Sequence, residues 1–351
     1  MSRLTLAVLG ALGNTQVKYV RPVRFGAAQG LVAEVYRQIE RDFGVLAPPM
    51  TLHSPAPAVL AGAWSMLRET MLVPGHVDRV VKEAMATAVS VANTCPFCVT
   101  VHGSTYGGMT GNSVETIDDP AVTWARASVH ADTAASAGIP FTAAQAPEYL
   151  GLVTMMQYLN RMANVFLGEV PLPPGTPRLA LGGVMGVLVG LIKSAAGTEP
   201  APGRSLALLP EASLPAELGW AAAAPTVAGA MAKAAAAVEE AGSRAAPAQV
   251  RDLVRAELAG WRGEPKGISR AWVDHLVAAL PTARRPAARL ALLVAFASYQ
   301  VDKRVVADFR RTDPSDATLV ELAAWSAMAA ARRIGEWAAP SDSAEPGYFE
   351  P

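Results

Sequence analysis

The sequence predicts an all-α protein, and three observations carry that expectation. Of its 351 residues 51% are hydrophobic but only 6% aromatic, and alanine dominates the remainder, which favours close-packed helices over sheets. Apolar residues recur at helical spacing in one segment after another. Prolines and glycines fall at the edges of those segments, where helices start and stop. With ~100 to 200 residues per domain as the usual size, the length suggests two units rather than one.

The elements follow in order. Leu4 to Leu12 is an apolar run after Arg3 that weakly imitates a secretory signal. No A-x-A site follows it, so a cytoplasmic protein is expected. From Ala27 to Phe43, Leu31, Val32, Val35, Ile39 and Phe43 share a helical face, and Gly44 stops the run. "APPMTLHSPAPAV" reads as a proline-punctuated loop, and Ala61 to Leu72 resumes a helical pattern. Pro74 is expected to open a helix reaching about Asn93, with Val77, Val80, Val81, Ala84, Ala88 and Val91 as its apolar face. Glu83 is the one acidic residue in the later part of that helix.

Beyond the two cysteines, Gly103, Gly107, Gly108 and Gly111 predict a short helix ending in a flexible turn. No Lys-Ser/Thr follows these glycines, which excludes a phosphate loop. Asp119 caps a further helix with Pro120 at its first position. Pro147 to Gly168 reads as a long helix rich in Leu, Met and Tyr.

"PLPPGTP", from Pro171 to Pro177, is a stiff linker and the first candidate boundary. Fourteen uncharged residues follow between Arg178 and Lys193, short of the ~20 that span a bilayer, so a buried or interface helix is expected there. Gly182, Gly186 and Gly190 leave one edge of it bare for close backbone approach. Thr198 to about Pro225 reads as irregular.

An internal repeat appears when the stretch from Pro281 is laid on that from Pro74 at an offset of 207. Glu83 then meets Leu290, Cys95 meets Asp302, Cys98 meets Val305 and His102 meets Phe309. "DPSDATLVELAAW" likewise echoes "DDPAVTWARASVHAD". The expected organisation is a domain over 1–175 that carries the chemistry, a Pro/Ala/Gly-rich connector over 176–225, and a degenerate helical repeat over 226–351 that lacks the motif.

Thirty basic residues balance thirty acidic ones, so no field draws this chain to nucleic acid or to an anionic membrane surface. Small molecules or proteins are the expected partners.

The chemistry concentrates in "NTCPFCVTVHGSTYGG". Asn93 or Thr94 can cap a helix starting near Pro96, with Cys95 in its first turn and Cys98 one turn on. Free N–H groups and the helix dipole there favour a thiolate over the free cysteine pKa of ~8.5. Cys95, Cys98 and His102 share one face, so the imidazole can take a thiol proton directly or through water. Glu83, on the helix before, can fold back to orient that ring. A carboxylate on an apolar face needs a partner, which is what makes Glu83 a signal.

Zinc is the weaker reading of the cysteines, because a closed site wants four ligands and three good ones are near. A glutaredoxin-type fold needs a strand before the CxxC, where this chain has an alanine-rich helix. His53, His76, His130 and His275 read as structural or solvated, and Trp64, Trp124, Trp272 and Trp325 as core. Tyr106 reads as helix packing. Arg161, in "YLNRM", has two readings: binding an acid or capping a neighbouring helix.

Glu83, eleven residues, Cys95-x-x-Cys98, three residues and His102 together resemble the active-site signature of the alkylhydroperoxidase D proteins of the carboxymuconolactone decarboxylase superfamily. The resemblance spans roughly residues 50 to 170, including "YLNRM" at 158 to 162. It implies an all-α, alkylhydroperoxidase D-like helical bundle, here duplicated with a degenerate second copy, in a homo-oligomer. It also implies a thiol-dependent peroxidase in which Cys98 is the peroxidatic thiol, Cys95 the resolving thiol, and Glu83 with His102 the proton relay. A small hydroperoxide is the implied substrate, and a dithiol reductant such as a lipoyl-bearing protein the implied partner. No metal, flavin or haem cofactor is called for. The alternatives are a non-catalytic redox-sensing or disulfide-exchange protein and a zinc-stabilised structural protein.

Overall fold

A computed structural model describes residues 15–114, 117–168, 186, 190 and 199–340. Among them every regular element is helical. The apolar N-terminal run, the 171–177 linker and most of the uncharged segment after it lie outside the described residues.

The first half contains α1 (Gly30–Phe43), α2 (Pro57–Leu67), α3 (Arg79–Ala92), α4 (Pro96–Thr110), α5 (Pro120–Ala127), α6 (Ala131–Ser136) and α7 (Ala146–Phe166). The second contains α8 (Pro225–Ala245), α9 (Ala248–Gly260), α10 (Ala271–Val277), α11 (Arg285–Ala297), α12 (Lys303–Arg310) and α13 (Asp316–Ala338). One continuous hydrophobic core runs through both halves. α7 packs along α13, α8 along α2 and α13, and α3 against α4, α5 and α7. α2 approaches α8 closely at Gly62, where a Cβ would lie a tight 3.1 Å from the Ala234 Cα. Trp64, Trp124 and Trp325 are buried in this core, and Trp272 packs at its edge.

Several boundaries follow the sequence closely. α1 ends at Gly44 in the left-handed conformation, and α5 begins with Asp119 accepting the Ala121 N–H and Pro120 in first position. Others differ for tertiary reasons. The stretch after Ala47 is not all loop, since Pro48–Thr51 forms one helical turn. α2 starts earlier than expected, at Pro57, and its continuation over Arg68–Leu72 is a π-helical turn. α3 opens at Arg79, not Pro74: the Glu148 carboxylate accepts the His76 and Val77 N–H groups at 2.6 and 3.3 Å, holding that segment outside the helix. Lys82 joins the same carboxylate at 2.6 Å. α4 is longer than the glycines suggest, running through Gly103, Gly107 and Gly108 and stopping only at Gly111, which takes φ +77°.

The 207-residue offset recurs in the helix starts. Cys95 is the N-cap of α4 and Asp302 the N-cap of α12. Asp302 accepts the N–H groups of Arg304 and Val305, whereas the Cys95 side chain makes no capping bond. The second half thus holds an ordinary cap, worth about 1 kcal/mol, at the position where the first half holds a thiol.

Candidate active site

The site lies where α3 ends, the chain reverses and α4 begins, beneath α7. The reversal is tight: the Asn93 N–H bonds the Val89 carbonyl, Thr94 bonds Val91, and Cys95 bonds Ser90 at 2.9 Å. Thr94 takes φ +52° to make the turn. A β-branched residue in that region is strained by about 1–3 kcal/mol. The cap expected at Asn93 or Thr94 is Cys95 itself, with Pro96 in the first helical position.

Cys95 and Cys98 are both free thiols with their Sγ atoms 2.7 Å apart. Both are buried, at 1% and 5% exposure. Burial decides the acidity of Cys98. It raises the thiol pKa well above its ordinary value, the hydrogen bond and charge of Cys95 raise it further, and the Asn160 side chain, hydrogen-bonded to the sulfur, works the other way. The expectation that the helix N-terminus lowers the thiol pKa is therefore corrected for Cys98. Desolvation of a thiolate outweighs a dipole effect that spans only the first turn.

One turn after Cys98, His102 turns its Nδ1 to the Glu83 Oε2 at 2.7 Å. The other carboxylate oxygen accepts Arg79 Nε and Nη2 at 2.8 and 2.6 Å. Burial would raise the Glu83 pKa, but the Arg79 guanidinium and His102 hold it down at about 2. Glu83 is thus a permanent acceptor. An ionised carboxylate can only accept, so His102 donates from Nδ1 in this contact and Nε2 is left for other partners. The structure pairs Glu83 with His102 and Cys95 with Cys98, the two pairs lying one turn apart along the start of α4.

The residue that sequence reasoning missed is Asn160. Fully buried on α7, it donates Nδ2 to Ser90 Oγ at 3.1 Å and accepts Asn93 Nδ2 at 3.0 Å, besides contacting Cys98. Asn164, one turn on, donates to the Asn93 carbonyl at 3.2 Å and to Ser298 Oγ at 3.1 Å. Two carboxamides on α7 therefore clamp the cysteine loop, and the second half adds a hydroxyl to the clamp. Asn residues at i and i+4 on an otherwise apolar helix, one of them buried, were the available signal, since a buried carboxamide needs partners.

Of the other singled-out residues, Tyr106 is buried, and His53 is fully buried with its ring stacked 5.7 Å from that of Tyr158. The His53 ring lies against the Met50 and Pro49 backbone without a well-formed hydrogen bond, and the Tyr158 hydroxyl has no hydrogen-bond partner among the described residues. Arg161 bridges α7 to α11 by donating Nε to the Ala295 carbonyl at 3.0 Å. No group of three or more His, Cys, Asp or Glu side chains gathers to hold a metal among the described residues. No helix there is long and apolar enough to cross a membrane.

Residues 57–143 match the carboxymuconolactone decarboxylase family. Across the whole molecule, the chain is 36% identical over 330 residues to a Mycobacterium tuberculosis protein named alkyl hydroperoxide reductase, covering 92% of this chain and 94% of that one. The family match contains Glu83, Cys95, Cys98 and His102 and stops short of Asn160.

Proposed function

The chain belongs to the carboxymuconolactone decarboxylase family, as an alkylhydroperoxidase D-like member, and from that premise we propose that it is a peroxidase-type oxidoreductase that reduces hydroperoxides with the Cys95/Cys98 dithiol. The observation that carries the reading is the conjunction of two contacts, Sγ to Sγ at 2.7 Å and Glu83 to His102 at 2.7 Å, on one helix and its neighbour.

His102, oriented by the ionised Glu83, takes the Cys98 proton through Nε2. The Cys98 thiolate attacks one peroxide oxygen. The O–O bond breaks, and the leaving alkoxide takes a proton to depart as alcohol, leaving Cys98 as a sulfenic acid. Cys95 then attacks the Cys98 sulfur, hydroxide leaves and is protonated to water, and a disulfide closes. An external dithiol, for which a lipoyl-bearing protein is the candidate, reopens it by exchange and is itself oxidised. In this reading residues 1–175 hold the chemistry, and the second half is a silent copy that buries and braces it. The protein works as a homo-oligomer in the reducing cytoplasm.

A second reading is a redox sensor that oxidises once, for which the burial of both cysteines, which restricts the approach of an external reductant, is the supporting observation. Intact-mass analysis separates the two. Reduced protein mixed with one equivalent of organic hydroperoxide is expected to lose both alkylatable thiols and two daltons, and then to turn over repeatedly when a dithiol is supplied. Thiols that remain alkylatable would sink the peroxidase reading, and a single oxidation without recycling would leave the sensor.

A further inference from the structure

α3 begins with the wrong charge for a helix end. The free N–H groups of a first turn favour negative charge nearby, yet the first turn of α3 has no acidic residue and carries two cations, Arg79 and Lys82. The Asp78 side chain makes no capping bond to offset them. Each cation is accounted for by a buried carboxylate. Lys82 meets Glu148 at 2.6 Å. Arg79 places both Nε and Nη2 on one oxygen of Glu83, at 2.8 and 2.6 Å.

That grip divides the carboxylate. The guanidinium occupies Oε1, so Oε2 is the oxygen that faces the ring, with His102 Nδ1 at 2.7 Å. Glu83 is buried, whereas the Arg79 side chain keeps 18% of its surface exposed and stays partly hydrated. On the elements packed against α3, Glu148 is met by Lys82, Arg68 and Glu69 pair with each other, and Asp119 caps α5. Arg161 is turned to α11, Arg126 and Asp78 are exposed, and Tyr106, Tyr149 and Tyr158 are uncharged in the acid range. Arg79 and His102 are thus the charges that act on Glu83, with the two thiols one turn away along α4.

The second half separates this pair from the helix that carries it. At the 207-residue offset Arg79 meets Pro286 and Glu83 meets Leu290. The corresponding helix, α11, forms over Arg285–Ala297 without either member. A helix of this kind does not need the arginine; the buried carboxylate does.

Without Arg79, Glu83 would be buried with the imidazole as its sole charged partner, and a buried carboxylate so placed takes up a proton more readily. That proton has two places to go. On the carboxylate, the new O–H donates to Nδ1 and the hydrogen of the ring moves to Nε2. On the ring, both nitrogens carry hydrogen. In either state Nε2 cannot take a proton from Cys98.

We propose that Arg79 is a positioning residue of the relay, which clamps one oxygen of Glu83 and answers its charge so that His102 keeps Nε2 free for the Cys98 proton. The proposal rests on the peroxidase reading and adds to it the group that sets the acid limit of the reaction.

The test follows thiol loss in the reduced full chain under excess tert-butyl hydroperoxide from about pH 5 to about pH 9, by quenching, alkylation and intact mass. Arg79→Gln is expected to move the acid limb of the rate to higher pH by about one pH unit or more, the usual effect of losing an opposite charge at this distance. The rate near pH 6 then falls by about tenfold or more, while rates at the alkaline end stay close to the wild type. Arg79→Lys keeps the charge and loses the two-point grip, so it should be slower by a few fold with the limb in place. In a Glu83→Gln background, adding Arg79→Gln should not move the limb, because the charge it answers is gone. An arginine that only held the helix would lower the rate alike at every pH. An unmoved limb in folded Arg79→Gln, a limb moved as far in Arg79→Lys, or one that still moves in the Glu83→Gln background overturns the proposal and leaves the peroxidase reading standing. If Arg79→Gln does not fold, Arg79→Lys decides: a limb in place supports the proposal and a moved one overturns it. No thiol loss in the wild type at any pH overturns both.

Discussion

The carboxylate of Glu83 is shared between His102 Nδ1 at 2.7 Å and the Arg79 guanidinium at 2.6 Å, so it orients the imidazole while staying ionised. Replacing it with glutamine keeps the shape and removes the charge that favours an imidazolium. Glu83→Gln is expected to lower peroxide turnover by about 10²–10⁴-fold, the usual range for disabling a general base, with binding little changed. Stopped-flow measurement of sulfenic acid formation checks this, and a loss below tenfold would remove Glu83 from the relay.

Glu83 and His53 should also leave separate marks on acid unfolding. The folded Glu83 pKa of about 2 lies below its ordinary 4.5, so its contribution is present above pH 4.5 and fades as pH falls towards 2. His53 is a base whose burial lowers its pKa from 6.5 to about 4. The unfolded chain therefore takes up that proton first, and stability is lost from pH 6.5 down to 4. Each shift corresponds to about 3 kcal/mol at ~1.36 kcal/mol per unit. Urea unfolding against pH is expected to lose the upper limb in His53→Phe and the lower limb in Glu83→Gln. An unchanged upper limb in His53→Phe would refute the buried neutral imidazole.

The raised Cys98 pKa has a kinetic consequence. Alkylation of the reduced protein is expected to be slow at pH 7 and still rising at pH 9, because thiolate is the reactive form. A plateau near neutral pH would show that something outside the described contacts activates the sulfur. In Cys95→Ser the sulfenic acid on Cys98 has no resolving partner and should accumulate, seen as a sixteen-dalton gain trapped by a dimedone-type reagent.

Asn160 gives the sharpest test of the clamp. Asn160→Ala strips partners from Asn93, Ser90 and Cys98 and should cost about 1–3 kcal/mol in stability. Asn160→Asp is nearly isosteric but places a carboxylate beside the sulfur, which should push the Cys98 alkylation profile to still higher pH. An unshifted profile in Asn160→Asp would reduce Asn160 to a structural bond.

Tyr158→Phe separates a structural hydroxyl from an idle one. The Tyr158 hydroxyl is buried without a partner among the described residues, so its removal is expected to be neutral or stabilising by up to about 1 kcal/mol. A loss above that in thermal unfolding would reveal a partner such as ordered water.

Much of this was legible in the sequence, and the boundary between what was and what was not is physical. Helical periodicity, a proline after a cap and a glycine after a last turn are local properties, and they placed α1, α4, α5 and α7. Cys98 and His102 share a face because they stand four residues apart in α4 and a helix repeats every 3.6 residues. What only the tertiary structure decided depends on distant partners. Glu148 reaches back over seventy residues to delay the start of α3. Asn160 and Asn164 close on the cysteine loop from α7, and Ser298 joins them from the second half. Burial from those same neighbours reverses the sign expected for Cys98. Sequence spacing sets which groups can share a face, whereas desolvation and long-range hydrogen bonds, which set their reactivity, exist only once the halves have packed.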